Sequence, residues 1–270
     1  MSERVRELRA PHFVQSLERG LAVIRAFGAD TPSLTLSDVA RATGLTRAAT
    51  RRFLLTLGDL GYVRSDGRYF ELTPRVLELG YAFLSSLSLP EVAEPHLERL
   101  VAEVHESSSV SVLDGDDIVY VARVPTARIM RVSINVGTRF PAYATSMGRV
   151  LLSRLPEDEL EAYLERVELK ALSPRTLTSR EMLRVELAKV RSQGWALVDQ
   201  ELEEGLRSVA APIRGRRGEI VAAMNISAHA SRMTIDTARR ALVPPLLATA
   251  ARIEADLRSS GSGPRRSARG

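Results

Sequence analysis

The chain has 270 residues, a formal net charge of +5 and no cysteine. This length is enough for two domains that each bury a core, and the lack of cysteine excludes disulfides and thiolate chemistry. No apolar run approaches the length that spans a membrane, and the charged first residues lack the apolar core of a signal peptide. We therefore expect a cytoplasmic protein with no membrane partner.

The positive charge is unevenly distributed along the chain. Residues 1–73 carry 11 arginines against 8 acidic residues, and residues 258–270 carry four arginines and no acidic residue. The long segment between them is slightly acidic. This distribution favours nucleic acid as a partner of the N-terminal segment rather than of the large central one.

The first predicted element is an amphipathic helix over residues 13–27, which follows a charged segment, 1–12, that we expect to be loose. Apolar residues recur in this helix at steps of three and four, namely Phe13, Leu17, Leu21, Ile24 and Phe27. The stripe either packs against the next helices or contacts a second copy of the chain. Residues 28–33 predict a turn.

Residues 35–72 carry the clearest pattern in the chain. A short helix beginning at Leu36 is followed by Gly44, which permits a left-handed turn, and by Thr46, which is a suitable N-cap. A second helix is predicted from there to about Asp59. Two helices joined by a short turn with glycine are typical of a helix-turn-helix.

The second of these helices has a face rich in arginine. Arg47, Arg51 and Arg52 lie at helical spacing, and no acidic residue occurs in the helix before Asp59. Such a helix suits insertion into the major groove among phosphates, so we assign DNA contacts to these arginines and to Thr46. The alternative is a small helical module with a solvated basic face.

A hairpin is predicted directly after the arginine-rich helix. Residues 62–64 and 69–72 have the pattern of strands, and Asp-Gly between them is a strong turn signal. The hairpin corresponds to a wing, in which Arg64 and Arg68 are placed to contact phosphate or the minor groove. Because the turn glycine, the cap, the arginine face and the hairpin agree, the pattern favours a winged helix-turn-helix over residues 13–73.

The rest of the chain predicts a linker helix over 74–90, a second domain over 91–257 and a disordered basic tail over 258–270. Helices of the second domain are predicted over 95–106, 145–152, 156–166, 179–193 and 234–257. Strands are predicted over 109–113, 118–123, 130–136, 194–199, 208–213 and 219–226. This order predicts a mostly antiparallel sheet covered by helices, so the fold class is α+β.

A catalytic interpretation rests on Ala144-Thr145-Ser146-Met147-Gly148, which comes close to a nucleophile elbow. Asp199 and His229 follow Ser146 in the chain order of α/β-hydrolases. The elbow needs a buried strand before the serine, however, and the chain has a proline there. A hydrolase with an accessory DNA-binding domain is therefore only the alternative function, and a plain architectural DNA binder is a third. We predict no catalytic residue.

Metal and cofactor sites are not indicated. The four histidines are scattered along the chain, and no pair of them has the spacing of metal ligands. No glycine-rich loop fits a phosphate cradle. The sequence therefore predicts neither a metal nor a cofactor.

Three segments of the second domain could line one pocket. Residues 142–148 are small and open a helix whose amides can receive a carboxylate. Residues 199–208 form a polar loop between strands, and Asn225 and Ser227 alternate with apolar residues in a strand. Buried Asn and Ser need hydrogen-bond partners, which either a polar ligand or one another and water supply.

Two motif blocks resemble the IclR family of bacterial transcriptional regulators. They are GTRFPAYATSMGRVLL, from Gly137, and DQELEEGLRSVAAPI, from Asp199, and the resemblance covers about residues 12–257. The stretch RIMRVSINVGTRFP, from Arg128, is similar to the branch that controls aromatic-acid catabolism through the β-ketoadipate pathway. That branch contains protocatechuate- and hydroxybenzoate-type regulators.

The resemblance implies a GAF-like second domain that binds a small carboxylic acid as effector. It also implies a homodimer on a palindromic double-stranded DNA operator, with a tetramer as a further option. The positions that match the effector contacts of the family are Ala144, Thr145, Ser146, Met147, Asp199 or its neighbour Glu201, Ser208, Asn225 and Ser227. Ser208 stands where some relatives have cysteine, and Thr50 departs from the aliphatic residue usual in the recognition helix.

Overall fold

The computed structural model describes residues 12–28, 31–79, 89–126 and 134–259. Its contacts divide the chain into two compact units, with the boundary between Ser86 and Leu87. Nearly all of the predicted loose N-terminus and basic tail lie outside the described residues, as does most of the predicted linker helix. The described start of that linker, Pro74–Val76, is a 3-10 turn.

The N-terminal unit consists of three helices and a three-stranded antiparallel sheet. The helices are α1 (Gln15–Arg25), α2 (Leu36–Thr43) and α3 (Arg47–Asp59), and the strands are β1 (Ser33–Thr35), β2 (Val63–Ser65) and β3 (Tyr69–Leu72), in the order β1-β3-β2. Its core is built from Val23, Val39, Leu54 and Leu57. The predicted helix-turn-helix and wing are confirmed.

Local signals in the sequence fix the ends of α2 and α3. Thr35 and Asp38 form a capping box, and Gly44 adopts the left-handed conformation with φ of 67° where α2 ends. After α3, Gly61 has φ of 81°, and the Tyr62 amide donates to the Leu57 carbonyl at 2.8 Å. This is a Schellman arrangement, which satisfies carbonyls at the helix end and turns the chain into the wing.

The C-terminal unit is a six-stranded antiparallel sheet with helices on both faces. The strands are β4 (Ser107–Asp114), β5 (Asp117–Val124), β6 (Arg139–Pro141), β7 (Ala196–Asp199), β8 (Leu206–Arg214) and β9 (Ile220–His229), in the order β6-β5-β4-β9-β8-β7. The helices are α4 (Leu89–Val104), α5 (Ser146–Leu152), α6 (Glu157–Arg166), α7 (Arg180–Gln193) and α8 (Ile235–Ser259). The α+β fold class is confirmed.

The sheet separates two apolar cores. One core lies between the sheet and helices α4 and α8, and it includes Val209, Met224 and Ile226. The other lies between the sheet and helices α5, α6 and α7, and it includes Ala210 and Ala223. Because neighbouring residues of a strand point to opposite faces, each buried strand contributes alternately to the two cores.

Several predicted bounds are wrong. Helix α4 already includes Leu89, whereas the sequence predicted a start at Pro95, because buried Leu89 and Ala93 pack on the sheet and outweigh the proline inside the helix. Residues 33–35 and 139–141 form short edge strands that the sequence did not predict, and Ser33 lies in one of them instead of in the predicted turn. Only 134–136 of the strand predicted over 130–136 are described, and they form no strand.

Within the described ranges, no helix is long and apolar enough to cross a bilayer. In the same residues, no group of three or more histidine, aspartate or glutamate side chains is arranged to hold a metal ion.

Candidate DNA-binding surface and effector site

Helix α3 presents its arginines to solvent because its opposite face is anchored in the core. Thr50, Leu54 and Leu57 are buried, whereas Arg47, Arg51 and Arg52 are exposed. Thr46 caps the helix, since its hydroxyl accepts from the Ala49 amide at 3.3 Å. Among the residues that the structure describes, these three arginines form no ion pair. The helix therefore offers three uncommitted cations beside its N-terminus.

The wing differs from the sequence expectation in one side chain. Arg64 is exposed but pairs with Glu71 across the hairpin, with 2.6 Å between Nη2 and Oε2. Arg68 lies over the Tyr69 ring at 5.2 Å. The Asp66 carboxylate accepts from the Tyr69 and Arg68 amides, which lowers its pKa and fixes the turn. Arg68 is thus held at the tip, while the charge of Arg64 is partly neutralised.

Four of the predicted effector residues lie together on the side of the sheet that faces α5. Ser208 of β8 is directly opposite Ser227 of β9. Asn225 lies two residues before Ser227 in β9, so it points to the same face of the sheet. The Ser146 hydroxyl at the start of α5 lies 2.8 Å from that of Ser208. All four are buried. They form a polar cluster inside an otherwise apolar layer.

Asn225 is incompletely satisfied within this cluster. Its Nδ2 donates to the Ser227 hydroxyl at 2.9 Å. Only 3% of Asn225 is exposed. Its buried Oδ1 nevertheless has no hydrogen-bond partner among the described residues. An orphaned buried carbonyl oxygen costs free energy, so a hydrogen-bond donor would be favourable at this position.

The other predicted residues of the 144–147 segment flank Ser146 in the chain. Ala144, Thr145 and Met147 are buried, and the Thr145 hydroxyl caps α5 by accepting from the Gly148 amide at 3.0 Å. The sulfur of Met147 lies 3.3 Å from the Ser111 hydroxyl of β4.

The two predicted acids, in contrast, are bound to arginines. Asp199 lies on the other face of the sheet, opposite Arg207, and it pairs with Arg207 at 2.6 Å and with Arg175 at 2.7 Å. Glu201 pairs with the buried Arg149 at 2.5 Å. Both acids therefore brace the loop that precedes β8, and their predicted contact with effector stays a prediction.

This face also carries polar residues of β4 and β5 that were not among the predicted effector contacts. Ser107, Ser109 and Ser111 of β4 alternate toward it, and Arg123 of β5 donates to the Ser109 hydroxyl at 3.0 Å. Burial lowers the pKa of the Arg123 guanidinium and raises that of the neighbouring Tyr120 hydroxyl to about 12. The alternation of serine in residues 107–111 was the available sequence signal.

A hydrolytic triad is not assembled. The Ser146 hydroxyl is bound to Ser208, and Asp199 lies on the opposite face of the sheet. His229 is exposed and its Nδ1 contacts the Ser231 hydroxyl at 2.7 Å. Ser146, Asp199 and His229 are therefore engaged separately, each with another partner.

Family comparison agrees with this geometry over nearly the whole described chain. Residues 16–67 match the IclR helix-turn-helix domain, and residues 81–255 match the C-terminal domain of the bacterial transcriptional regulator IclR. The chain belongs to the IclR family of transcriptional regulators. Members of this family are DNA-binding regulators, and no finding supports the hydrolase alternative.

Individual relatives extend the comparison. The Pca regulon regulatory protein of Pseudomonas putida is 47% identical over 239 residues, which are 88% of this chain and 82% of that protein. A crystal structure described as a transcriptional regulator from Rhodococcus sp. RHA1 is 62% identical, covers 92% of this chain and 100% of its own, and has a TM-score of 0.83. An IclR homologue from Microbacterium hydrocarbonoxydans, complexed with 4-hydroxybenzoate, is 27% identical, covers 91% and 100%, and has a TM-score of 0.81.

The chain is accordingly a DNA-binding transcriptional regulator, with a helix-turn-helix domain and a C-terminal domain of the effector-binding type.

Proposed function

We propose that this IclR-family regulator senses a hydroxylated aromatic acid and controls genes for the catabolism of such acids. The observation that carries the proposal is the buried polar cluster beneath α5. A homologue with the same fold has been crystallised in complex with 4-hydroxybenzoate. The similarity to the Pca regulon regulatory protein supports the same class of effector.

The proposed pocket is bounded by the start of α5 and by the facing strands β8 and β9. Ser146, Ser208, Asn225 and Ser227 supply hydrogen bonds, while Met147, Ala144 and Thr145 form the wall. Asp199 and Glu201 bind arginines through their carboxylates and brace the loop that precedes β8. A small aromatic ring suits this mixture of apolar wall and few polar groups.

The proposed DNA contacts are Thr46, Arg47, Arg51 and Arg52 of the recognition helix, with Arg68 and Arg64 of the wing. One winged module offers little surface for tight, specific binding, so we propose that a homodimer binds a palindromic operator. Helix α1 supports dimer formation because Leu17 is 63% exposed and Val14 58% exposed. Together with Phe13 and Leu21, they form a contiguous apolar stripe of the kind that marks interfaces.

A thermal-shift measurement tests the effector class. The full-length protein is heated with 4-hydroxybenzoate, protocatechuate, succinate or phenol, the last two serving as controls for the ring and for the carboxylate. A ligand at one hundred times its Kd stabilises the folded state by about 2.7 kcal/mol, so the aromatic acids should raise the melting temperature and the controls should not. No shift with any aromatic acid would contradict the proposed function.

A further inference from the structure

Arg123 differs in its partners from the two buried arginines described in the C-terminal unit. Buried Arg149 and Arg207 each bind a carboxylate, at 2.5 Å and 2.6 Å. Half-buried Arg123 donates to the Ser109 hydroxyl, and the described residues provide it with no carboxylate. Taking a cation out of water without a counter-ion is unfavourable, so such a group is normally matched by an anion.

The position of Arg123 in the sheet connects it to the polar cluster. Ser109 of β4 lies directly opposite Arg123 of β5 on one side and opposite Asn225 of β9 on the other. The three residues therefore form one row across three neighbouring strands, on the face toward α5. At the usual strand spacing the two ends of the row lie about 10 Å apart, with the small side chain of Ser109 between them.

The two ends of this row have complementary unmet requirements. Arg123 provides a cation with spare donors, and Asn225 provides a buried Oδ1 with no donor. A benzene ring with a carboxylate at one end and a hydroxyl at the other meets both requirements at once. Within the proposed effector function, we propose that Arg123 binds the carboxylate of the effector and that Asn225 Oδ1 accepts from its ring hydroxyl.

This assignment differs from the expectation that the amides at the start of α5 hold the carboxylate. Helix α5 has only seven residues, and the Thr145 hydroxyl already occupies the Gly148 amide. A guanidinium supplies a full charge and paired donors, which suit a carboxylate better than isolated amides. The start of α5 then contacts the ring and the Ser146 hydroxyl completes the polar cluster.

Calorimetry with three probes tests each end of the row separately. The probes are 4-hydroxybenzoate, 4-hydroxybenzamide, which lacks the charge, and benzoate, which lacks the hydroxyl. The wild type should prefer the acid to the amide, and Arg123→Met should weaken acid binding about 30-fold or more and abolish that preference. Asn225→Ala should keep the preference for acid over amide but lose the preference for 4-hydroxybenzoate over benzoate.

Three controls keep the outcomes distinguishable. Arg166→Ala removes an exposed arginine that pairs with Asp116, and it should bind all three probes like the wild type. Ligand-free Arg123→Met should melt no lower than the wild type, because Arg123 is half-buried and has no carboxylate partner among the described residues. A structural arginine would lower the melting temperature. Arg123→Lys should restore part of the preference for the acid.

Two results carry different consequences. If the wild type binds no aromatic acid, the proposed function fails. If the wild type binds 4-hydroxybenzoate and Arg123→Met binds it with unchanged affinity and unchanged preference over the amide, only the assignment of Arg123 is overturned.

Discussion

Arg51 and Arg52 lie on the exposed, acid-free face of α3, where their guanidinium groups are available to bases and phosphates. Changing both to alanine should reduce operator affinity by about 1–3 kcal/mol for each side chain that reads a base edge. It should also flatten the dependence of affinity on salt, because fewer counterions are released. Fluorescence anisotropy across a salt series measures both quantities.

The control for this prediction is Arg217→Ala. Arg217 is an exposed arginine of the C-terminal unit, so its replacement changes the net charge by one at a site outside α3. It should leave the affinity and the salt slope nearly unchanged. Wild-type affinity and slope in the Arg51→Ala,Arg52→Ala protein would mean that α3 does not dock as proposed.

Glu71 restrains the wing arginine Arg64 through an exposed ion pair. Glu71→Gln should release Arg64 toward phosphate, raise affinity for specific and non-specific DNA alike, and steepen the salt dependence. The melting temperature should change little, because exposed ion pairs contribute about 0–1 kcal/mol. If DNA affinity falls or stays the same, Arg64 does not contact the backbone.

The loop before β8 is held to α5 by the buried pair of Arg149 and Glu201. Arg149 also donates to the Tyr143 carbonyl at 2.9 Å, and the Leu177 amide donates to Glu201 at 2.9 Å. Glu201→Gln leaves a buried cation without its counter-ion and should lower the free energy of unfolding of this unit by about 3–5 kcal/mol. Fluorescence of Trp195, the one tryptophan of the chain, reports this unit specifically.

Two variants serve as references for the buried pair. Arg149→Met,Glu201→Leu removes both charges and should recover much of the lost stability. Glu161→Gln breaks an exposed pair with Arg184 and should cost no more than about 1 kcal/mol. Equal losses for Glu201→Gln and Glu161→Gln would show that the buried pair does not hold the loop.

The elements that the sequence predicted well are those with strong local signals. Gly44, Thr46 and Gly61 set three of the ends of α2 and α3 by capping and by backbone conformation, so the positions of these ends could be read directly. The short strands β1 and β6 have three residues each and form only because β3 and β5 pair with them. Such pairing depends on distant parts of the chain.

The candidate effector site was predicted only in part, because the sequence shows which strand residues are polar but not which face of the sheet each one joins. Ser208, Asn225 and Ser227 stood out because a polar residue alternates with apolar ones, and the strand register brings them together. Asp199 was assigned to the same pocket, but its place in β7 directs it to the opposite face. Arg123 could not be selected from the sequence, because only the structure shows that it lies beside Ser109 and that the described residues give it no acidic partner.

At the scale of the whole molecule, the apolar stripe of α1 predicts association through the DNA-binding unit. Leu17→Glu,Leu21→Glu replaces two exposed leucines of the stripe by charged residues and should convert the dimer to a monomer. The unit should stay folded, because its core is built on the other face of α1 around Val23. Analytical ultracentrifugation at micromolar concentration measures this change, with Val185→Glu on the exposed surface of α7 as control. A wild type that sediments as a monomer, both alone and on operator DNA, would contradict the dimer.

We expect effector binding and operator binding to be coupled within this protein. The most direct measurement determines the Kd of 4-hydroxybenzoate for the free and operator-bound full-length protein, and the Kd of the operator with and without 4-hydroxybenzoate. The operator is selected from random DNA with the wild type. Linkage requires both ratios to be the same, and we expect a factor of about 5 to 150.

In the Asn225→Ala,Ser227→Ala protein, operator affinity should match that of the wild type while the dependence on 4-hydroxybenzoate disappears. A wild-type ratio of one would contradict the account, because a ligand with equal affinity for both forms shifts nothing. An unaltered response to 4-hydroxybenzoate in the double variant would equally contradict it, since the effector would then act from outside the polar cluster.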